Sequence, residues 1–273
     1  MSKKKVLIVT QEMQPYTALS EISKIARKLP QFLQEEGLEV RVLMPRFGTI
    51  NERRHRLHEV VRLSGMNIIV DDDDFPLIIK VASLPGARMQ VYFLDNEDFF
   101  KRKHIFEDDR GNPFEDNPDR MVFFCKGVIE TVKKFGWPPD IVHCHGWMTS
   151  LIPLYLKTAY KTEPLFQHSK VVYSAYEQSP GKTFSDKFVS KATINNLDED
   201  VLSAYQNGNG INLHQGAITY ADALITGSEQ LNEHVAKALT KAEKPLLEFQ
   251  DEETFLEAYL EFYQSLMKEE VEG

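Results

Sequence analysis

The sequence predicts an α/β fold, a Rossmann-like parallel sheet flanked by helices, and three observations carry that prediction. Short β-rich runs alternate with helical periods along the chain. Residues 140–157 pass from an apolar strand through a polar turn into a helix, which is where an open α/β sheet holds its ligands. Over 273 residues, 42% apolar and 11% aromatic content supplies a core large enough for one large or two modest domains.

Residues 5–10 form the first strand. A helix over 20–36 follows because Ile22, Ile25, Ala26, Leu29 and Leu33 recur at helical spacing; Ser20 reads as its N-cap and Gly37 as its C-terminal cap. Residues 39–44 are the second strand. Between 57 and 94 lie several β-like runs, including 77–84 and 89–94, separated by the aspartates 71–74 and by Pro85-Gly86. The acidic run reads as a solvated hairpin tip, since adjacent aspartates do not converge on one cation as the ligands of a spaced calcium loop do. A long helix over 116–135 buries Met121, Phe124, Cys125, Val128, Ile129 and Val132, and Gly136 ends it. Then come a strand at 141–143, a helix from about Thr149, a strand at 170–174 and, after a longer polar passage, a strand at 223–226. Residues 178–210 mix glycine, proline and asparagine with short amphipathic pieces, a composition that suits a binding loop or lid and equally a poorly ordered segment. In 252–268, Phe255, Tyr259, Phe262 and Leu266 fall at i, i+4, i+7 and i+11, one apolar stripe of an amphipathic helix.

The net charge of −9, from 41 acidic against 32 basic side chains, argues against a phosphate-backbone binder, so no nucleic-acid partner is expected. The apolar run at 6–10 is too short for a signal-peptide core or a membrane span; a cytoplasmic protein with no membrane partner is expected. Cys125 and Cys144 offer at most one disulfide and no Cys-x-x-Cys pair, which suits a reducing compartment.

His143 and His145 alternate along a strand and so share a face. Three readings stand: strand-end histidines packed and hydrogen-bonded locally, ligand contacts, or a metal pair. Against the metal, the only further ligand type fixed nearby is Cys144, on the opposite face, so neither metal nor cofactor is expected.

Several motifs belong together: Pro45-Arg46-Phe47-Gly48 closing the second strand, Asp119-Arg120-Met121-Val122-Phe123-Phe124 in the long helix, and His143-Cys144-His145-Gly146-Trp147-Met148-Thr149 after the strand at 141. With residues 6–30, 40–50, 91–99, 117–156 and 221–228, they make the chain similar to the N-terminal domain of the bacterial glycogen and starch synthases, glucosyltransferases that use ADP-glucose. The resemblance implies a single N-terminal half of a GT-B architecture, in which two Rossmann-like domains face each other across a cleft for the sugar nucleotide and the growing glucan. It implies a Rossmann-like domain over 1–245 and an amphipathic helix within 246–273 that returns to pack on it, a second domain having been excised between about 241 and 250. An unrelated helix that seals an exposed flank or mediates dimerisation is the alternative.

At the ligand positions the chain departs from the family. Its Lys-Thr-Gly-Gly-Leu turn corresponds to Ala18-Leu19-Ser20-Glu21-Ile22, where a Cβ at each former glycine crowds close backbone approach and Glu21 brings negative charge towards a phosphate. In the family's His-Ala-His-Asp-Trp element, Gly146 replaces the carboxylate. The Thr-Ile-His-Asn turn corresponds to Ser174-Ala175-Tyr176-Glu177, and a lysine before the Ala-Asp strand corresponds to Gln215, with His214 before it. By resemblance, His145 is the catalytic candidate, a sugar contact, and Tyr16, Ser20, His143, Trp147, Tyr176, Glu177 and Gln215 line the same crevice. The family reaction transfers glucose from ADP-glucose to the non-reducing end of an α-1,4-glucan, and the departing diphosphate needs preorganised cations and donors. The expectation is a glycogen/starch-synthase-like protein of α-1,4-glucan metabolism, catalytically degenerate or dependent on a second polypeptide, with ADP-glucose or an α-glucan as ligand. The alternative is a non-catalytic glucan-, nucleotide- or protein-binding regulatory module, and enzymatic status stays open.

Overall fold

In the computed structural model, which describes residues 3–178, 184, 187–195, 197–207 and 210–268, one sheet runs through the molecule. Its strands are β1 (Lys5–Thr10), β2 (Glu39–Pro45), β3 (His58–Glu59), β4 (Met66–Val70), β5 (Asp73–Ser83), β6 (Gln90–Asp95), β7 (Ile141–His145) and β8 (Lys170–Ala175), while β9 (Gln206–Asn207) and β10 (Gly210–Ile211) form a separate hairpin. β11 (Ala223–Thr226) and β12 (Leu246–Leu247) complete it in the order β12-β11-β8-β7-β1-β2-β6-β5-β3, with β4 on β5. From β12 to β6 every pairing is parallel, and β5 then runs antiparallel to β6, as β3 and β4 do to β5.

The helices are α1 (Ile22–Glu35), α2 (Glu52–His55), α3 (Glu97–Phe100), α4 (Asn117–Phe135), α5 (Leu151–Lys157), α6 (Lys187–Ala192), α7 (Leu213–Tyr220), α8 (Glu233–Lys241) and α9 (Phe255–Lys268). α5 packs against both α4 and α7, and α1 packs with α9. Strand alternation separates the two sets: His143 of β7 meets α9, whereas Cys144 points to the other face, so the returning C-terminal helix and α1 cover the face the other helices leave bare. Strands buried on both faces read as continuous apolar runs, and β1 is buried from Val6 to Thr10.

α4 shows how local sequence fixes an element. Pro118 sits in its first turn, Gly136 ends it in the left-handed region at φ 59, and Gly127 lets Leu94 and Leu77 approach its backbone. The loop after β2 is pinned by ions: Asp95 Oδ2 lies 3.0 Å from Arg46 Nε and 2.9 Å from Lys80 Nζ, which also contacts Glu52 at 2.7 Å.

Several elements depart from the sequence expectations. α1 begins at Ile22 with Glu21 in the cap position, and Ser20 Oγ, although 3.3 Å from the Ile22 N–H it accepts, is drawn off to donate to Glu12. The strand predicted to stop at His143 continues to His145, and a 3-10 turn at Trp147–Thr149 precedes α5. Within 178–210 the structure forms α6 and a 3-10 stretch at Glu199–Tyr205, while 179–183, 185, 186, 196, 208 and 209 lie outside the described residues. In α9 the buried stripe is Phe255, Tyr259, Leu260, Tyr263 and Leu266; Phe262 is only half-buried, because the stripe follows i+8 rather than i+7. Residues 241–250 are more than a tether. β12 adds to the sheet beside β11, and Lys244 Nζ donates to the carbonyls of Ile218 (2.9 Å), Thr219 (2.6 Å) and Ala221 (2.6 Å), satisfying the C-terminal end of α7. Both cysteines are free and buried.

Candidate crevice at the strand ends

Four parallel strands bring the candidate residues together. Ile8 of β1 lies beside His143, and Thr10 beside His145; on the other side His145 pairs with Ser174 of β8, which pairs with Ile225 of β11. The C-terminal ends of β1, β7, β8 and β11 therefore open onto one crevice, as open α/β sheets require of a ligand site.

The two histidines are buried, with ring centroids 3.8 Å apart. His143 Nδ1 lies 2.5 Å from the Tyr263 hydroxyl and Nε2 2.7 Å from Ser174 Oγ, so a neutral ring donates to one hydroxyl and accepts from the other. His145 Nδ1 lies 2.8 Å from the Tyr176 hydroxyl, and its Nε2 has no hydrogen-bond partner among the described residues. Burial, with His145 alongside, holds His143 well below the ordinary histidine range, and burial alone lowers His145 to about 3. Both rings are neutral near pH 7. Tyr259 and Tyr263 of α9 cover them: His143 is 5.8 Å from the Tyr259 ring and 5.7 Å from that of Tyr263. Among the described residues no three His, Cys, Asp or Glu side chains converge as a metal site.

The turn before α1 has a different guardian. Buried Glu12, straight after β1, accepts from the Leu19 N–H at 2.5 Å, the Ser20 N–H at 2.9 Å and Ser20 Oγ at 2.5 Å. A carboxylate of the protein thus takes the backbone donors that would otherwise face an anion at this helix start. Glu21, at the head of α1, accepts from Ser228 Oγ at 2.5 Å, and that same oxygen accepts the Glu177 N–H at 3.0 Å. Glu21, Glu177, Glu229 and Phe249 line a cavity of about 330 Å³ here, without a lysine or arginine among the described residues of its wall.

Gly146 departs from the family pattern for a visible reason. Its φ is +85, and a Cβ there would stand 2.3 Å from Gln11 Oε1. That oxygen accepts the Met148 N–H at 3.2 Å, and Gln11 Nε2 donates to Gln178 Oε1 at 2.6 Å. The Gln11 amide fills the volume that a side chain at 146 needs.

The remaining candidates lie around this centre. Trp147 is buried, tilted on Phe106 with centroids 4.7 Å apart and edge-on to Phe184 at 5.9 Å. Tyr16 packs edge-on against Phe93 (4.8 Å) and His55 (5.0 Å) and donates to the Ser83 carbonyl at 3.3 Å; burial pushes its hydroxyl up to about 12. Tyr176 is buried and Glu177 exposed. Gln215 stands apart, half-buried in the first turn of α7 with its backbone N–H on Asn212, and no side-chain hydrogen bond joins it to the histidine cluster among the described residues. Sequence reasoning missed Glu12, Gln11, Ser228 and Tyr263. Glu12 had a signal, an acid directly after an apolar strand; the others become partners only through tertiary contact.

Beside Trp147 lies a larger groove of about 470 Å³, walled by Leu19, Lys103, His104, Phe106, Glu107 and Trp147. One wall is held from behind by the long helix. Buried Arg120 donates through Nε to the Phe99 carbonyl (2.8 Å) and through Nη1 to the Ile105 carbonyl (2.6 Å) and Asn117 (2.8 Å), Asn117 donates to the Phe106 carbonyl (2.8 Å), and Arg102 pairs with Asp116. Half-buried Phe106 and exposed Leu19 give the groove an apolar side, Lys103 and Glu107 a charged one, and Trp147 lies buried behind Phe106.

The starch synthase catalytic domain family matches residues 5–244 of this chain. The glycogen synthase of Chlorobium limicola is 39% identical over 231 residues, covering 82% of this chain and 45% of that protein. That of Chlorobaculum tepidum is also 39% identical over 231 residues, covering 83% and 46%. The chain therefore spans about half the length of the curated relatives it matches. The catalytic domain of starch synthase IV from Arabidopsis thaliana, solved bound to ADP and acarbose, superposes with a TM-score of 0.76 at 18% identity, over 92% of this chain and 52% of that one. α9 lies beyond the residues matched by the family.

Proposed function

This chain belongs to the starch synthase catalytic domain family, and from that premise we propose that it is a glycogen/starch-synthase-like protein that engages an α-1,4-glucan but does not by itself transfer glucose from ADP-glucose. The observation that carries the proposal is the Glu12 carboxylate on the Leu19 and Ser20 N–H groups. A nucleotide diphosphate entering this turn must displace a buried carboxylate whose charge-assisted hydrogen bonds are worth roughly 1.5–3 kcal/mol each. It also approaches Glu21, where a pair of like unit charges about 4 Å apart costs on the order of 1–4 kcal/mol between water-like and surface dielectrics. Among the described residues the wall of this cavity carries no lysine or arginine, and without a cation there a departing diphosphate gains no electrostatic stabilisation.

The groove beside Trp147 and Phe106 has none of these obstacles, and it suits a neutral glucan. His145 is the group nearest to sugar chemistry in the family pattern. In this chain it is a neutral, dry ring bonded to Tyr176, fit to accept or donate one hydrogen bond and unfit to supply charge. A second reading, activity completed by another polypeptide, is favoured by Leu19 and Phe249, apolar side chains left 46% and 37% exposed at the crevice mouth.

Calorimetric titration with ADP-glucose, ADP and maltoheptaose, followed by a transfer assay on glycogen, tests the proposal. Maltoheptaose binding with no heat from either nucleotide and no turnover is expected. Nucleotide binding with measurable transfer would overturn it.

A further inference from the structure

We propose that this protein is a two-fold symmetric dimer formed by edge-to-edge pairing of β4 with the β4 of a second copy. β4 has one strand partner, β5, and its other edge is unpaired among the described residues. The direction of its backbone groups follows from the ladder. Asn96 Nδ2 donates to the Pro76 carbonyl at 3.0 Å, on the β6 side of β5, so the Asn67–Pro76 pair is a non-bonded one. By alternation the backbone N–H and C=O groups of Asn67 and Ile69 point away from β5, into the open edge.

An antiparallel pairing with Ile68 opposite its own symmetry mate sets Asn67 of one copy against Ile69 of the other, and the converse. Both residues carry outward-facing groups, so each of these pairs exchanges two backbone hydrogen bonds. The edge also lacks the usual protection. Met66-Asn67-Ile68-Ile69-Val70 has no charge and no proline, and Ile69 is 51% exposed on the solvent face.

Charge complementarity selects a second copy of this chain as the occupant. Exposed Arg62 stands in the turn leading into β4, in a protein whose net charge is −9, and four exposed aspartates at 71–74 follow the strand. Antiparallel symmetry brings Arg62 at the entry of each strand towards the acidic exit of the other, twice, so each end of the pairing joins opposite charges. A parallel pairing would set like charges against each other.

Sedimentation of the full chain across the micromolar range tests this. A species of twice the 31.4 kDa chain mass is expected. Ile69→Lys should convert it to a folded monomer with an unchanged circular-dichroism spectrum, since Ile69 is outside the core. Arg62→Glu and Asp74→Lys should each weaken the dimer about tenfold, and mixing the two variants should restore it, because the mixed pair matches opposite charges at both ends. A monomer at all concentrations, larger open assemblies, or a dimer insensitive to these three changes and to their mixing would overturn the proposal.

Discussion

Acid should unfold this protein early, and the structure gives the size of the effect. His143, His145 and His214 are all buried; burial puts His143 well below the ordinary range, His145 at about 3 and His214 at about 4. The unfolded chain protonates each near pH 6.5. Folded pKa values below unfolded ones mean that the unfolded state binds more protons between the two, so the stability these residues permit is intact above about pH 6.5 and falls as pH drops towards the folded values. At about pH 5.5 each histidine has cost roughly 1.4 kcal/mol, and the three together about 4 kcal/mol. That is a large part of a typical folding free energy of 5–15 kcal/mol. Asp251 and Glu252, held below the carboxylate range by hydrogen bonds from Thr254 and Lys24, lose their contribution only at lower pH, so the windows separate. Urea unfolding at a series of pH values is the assay, and His214→Asn should reduce the slope by one proton. A free energy of unfolding that stays flat within about 1 kcal/mol from pH 7.5 to 5.5 would refute the reasoning.

Tyr263→Phe leaves one nitrogen of buried His143 without its hydroxyl and should cost about 1–3 kcal/mol, a drop of several degrees in Tm read by calorimetry. Gly146→Asp, which restores the family residue, should destabilise rather than repair, because φ is +85 and Gln11 blocks the Cβ; Gln11→Ala in the same chain should recover part of the loss in urea titrations. His104→Ala, at an exposed rim position, should weaken maltoheptaose binding several-fold by calorimetry with Tm unchanged. Lys244→Met uncovers three carbonyls at the end of α7 and should lower Tm, with hydrogen exchange quickening first in that helix.

Much of the architecture was legible because it rests on local pattern. The long helix announced itself by period and by Gly136, and the strands at 5–10 and 223–226 by unbroken apolar runs. The site was legible in part. The His-x-His alternation correctly placed both rings on one face, and the replaced glycines marked the turn at 18–22 as altered. That Glu12 closes this turn from eight residues upstream was not readable, because a buried acid and a solvated one look alike in sequence. The register of α9 failed for a similar reason: Phe262 and Tyr263 are both aromatic neighbours, and only the position of His143 decides which turns inward.

That last contact has a consequence for the order in which the molecule is built. Tyr263 follows His143 by 120 residues, so during synthesis the strands carrying both histidines exist long before the helix that dries them. Until then those rings stand in water, free to titrate near pH 6.5, beside a sheet face with its apolar side chains uncovered. α9 therefore does more than add area: its arrival changes the ionisation of groups made much earlier, and a growing chain should gain the part of its acid sensitivity that His143 carries only at that step.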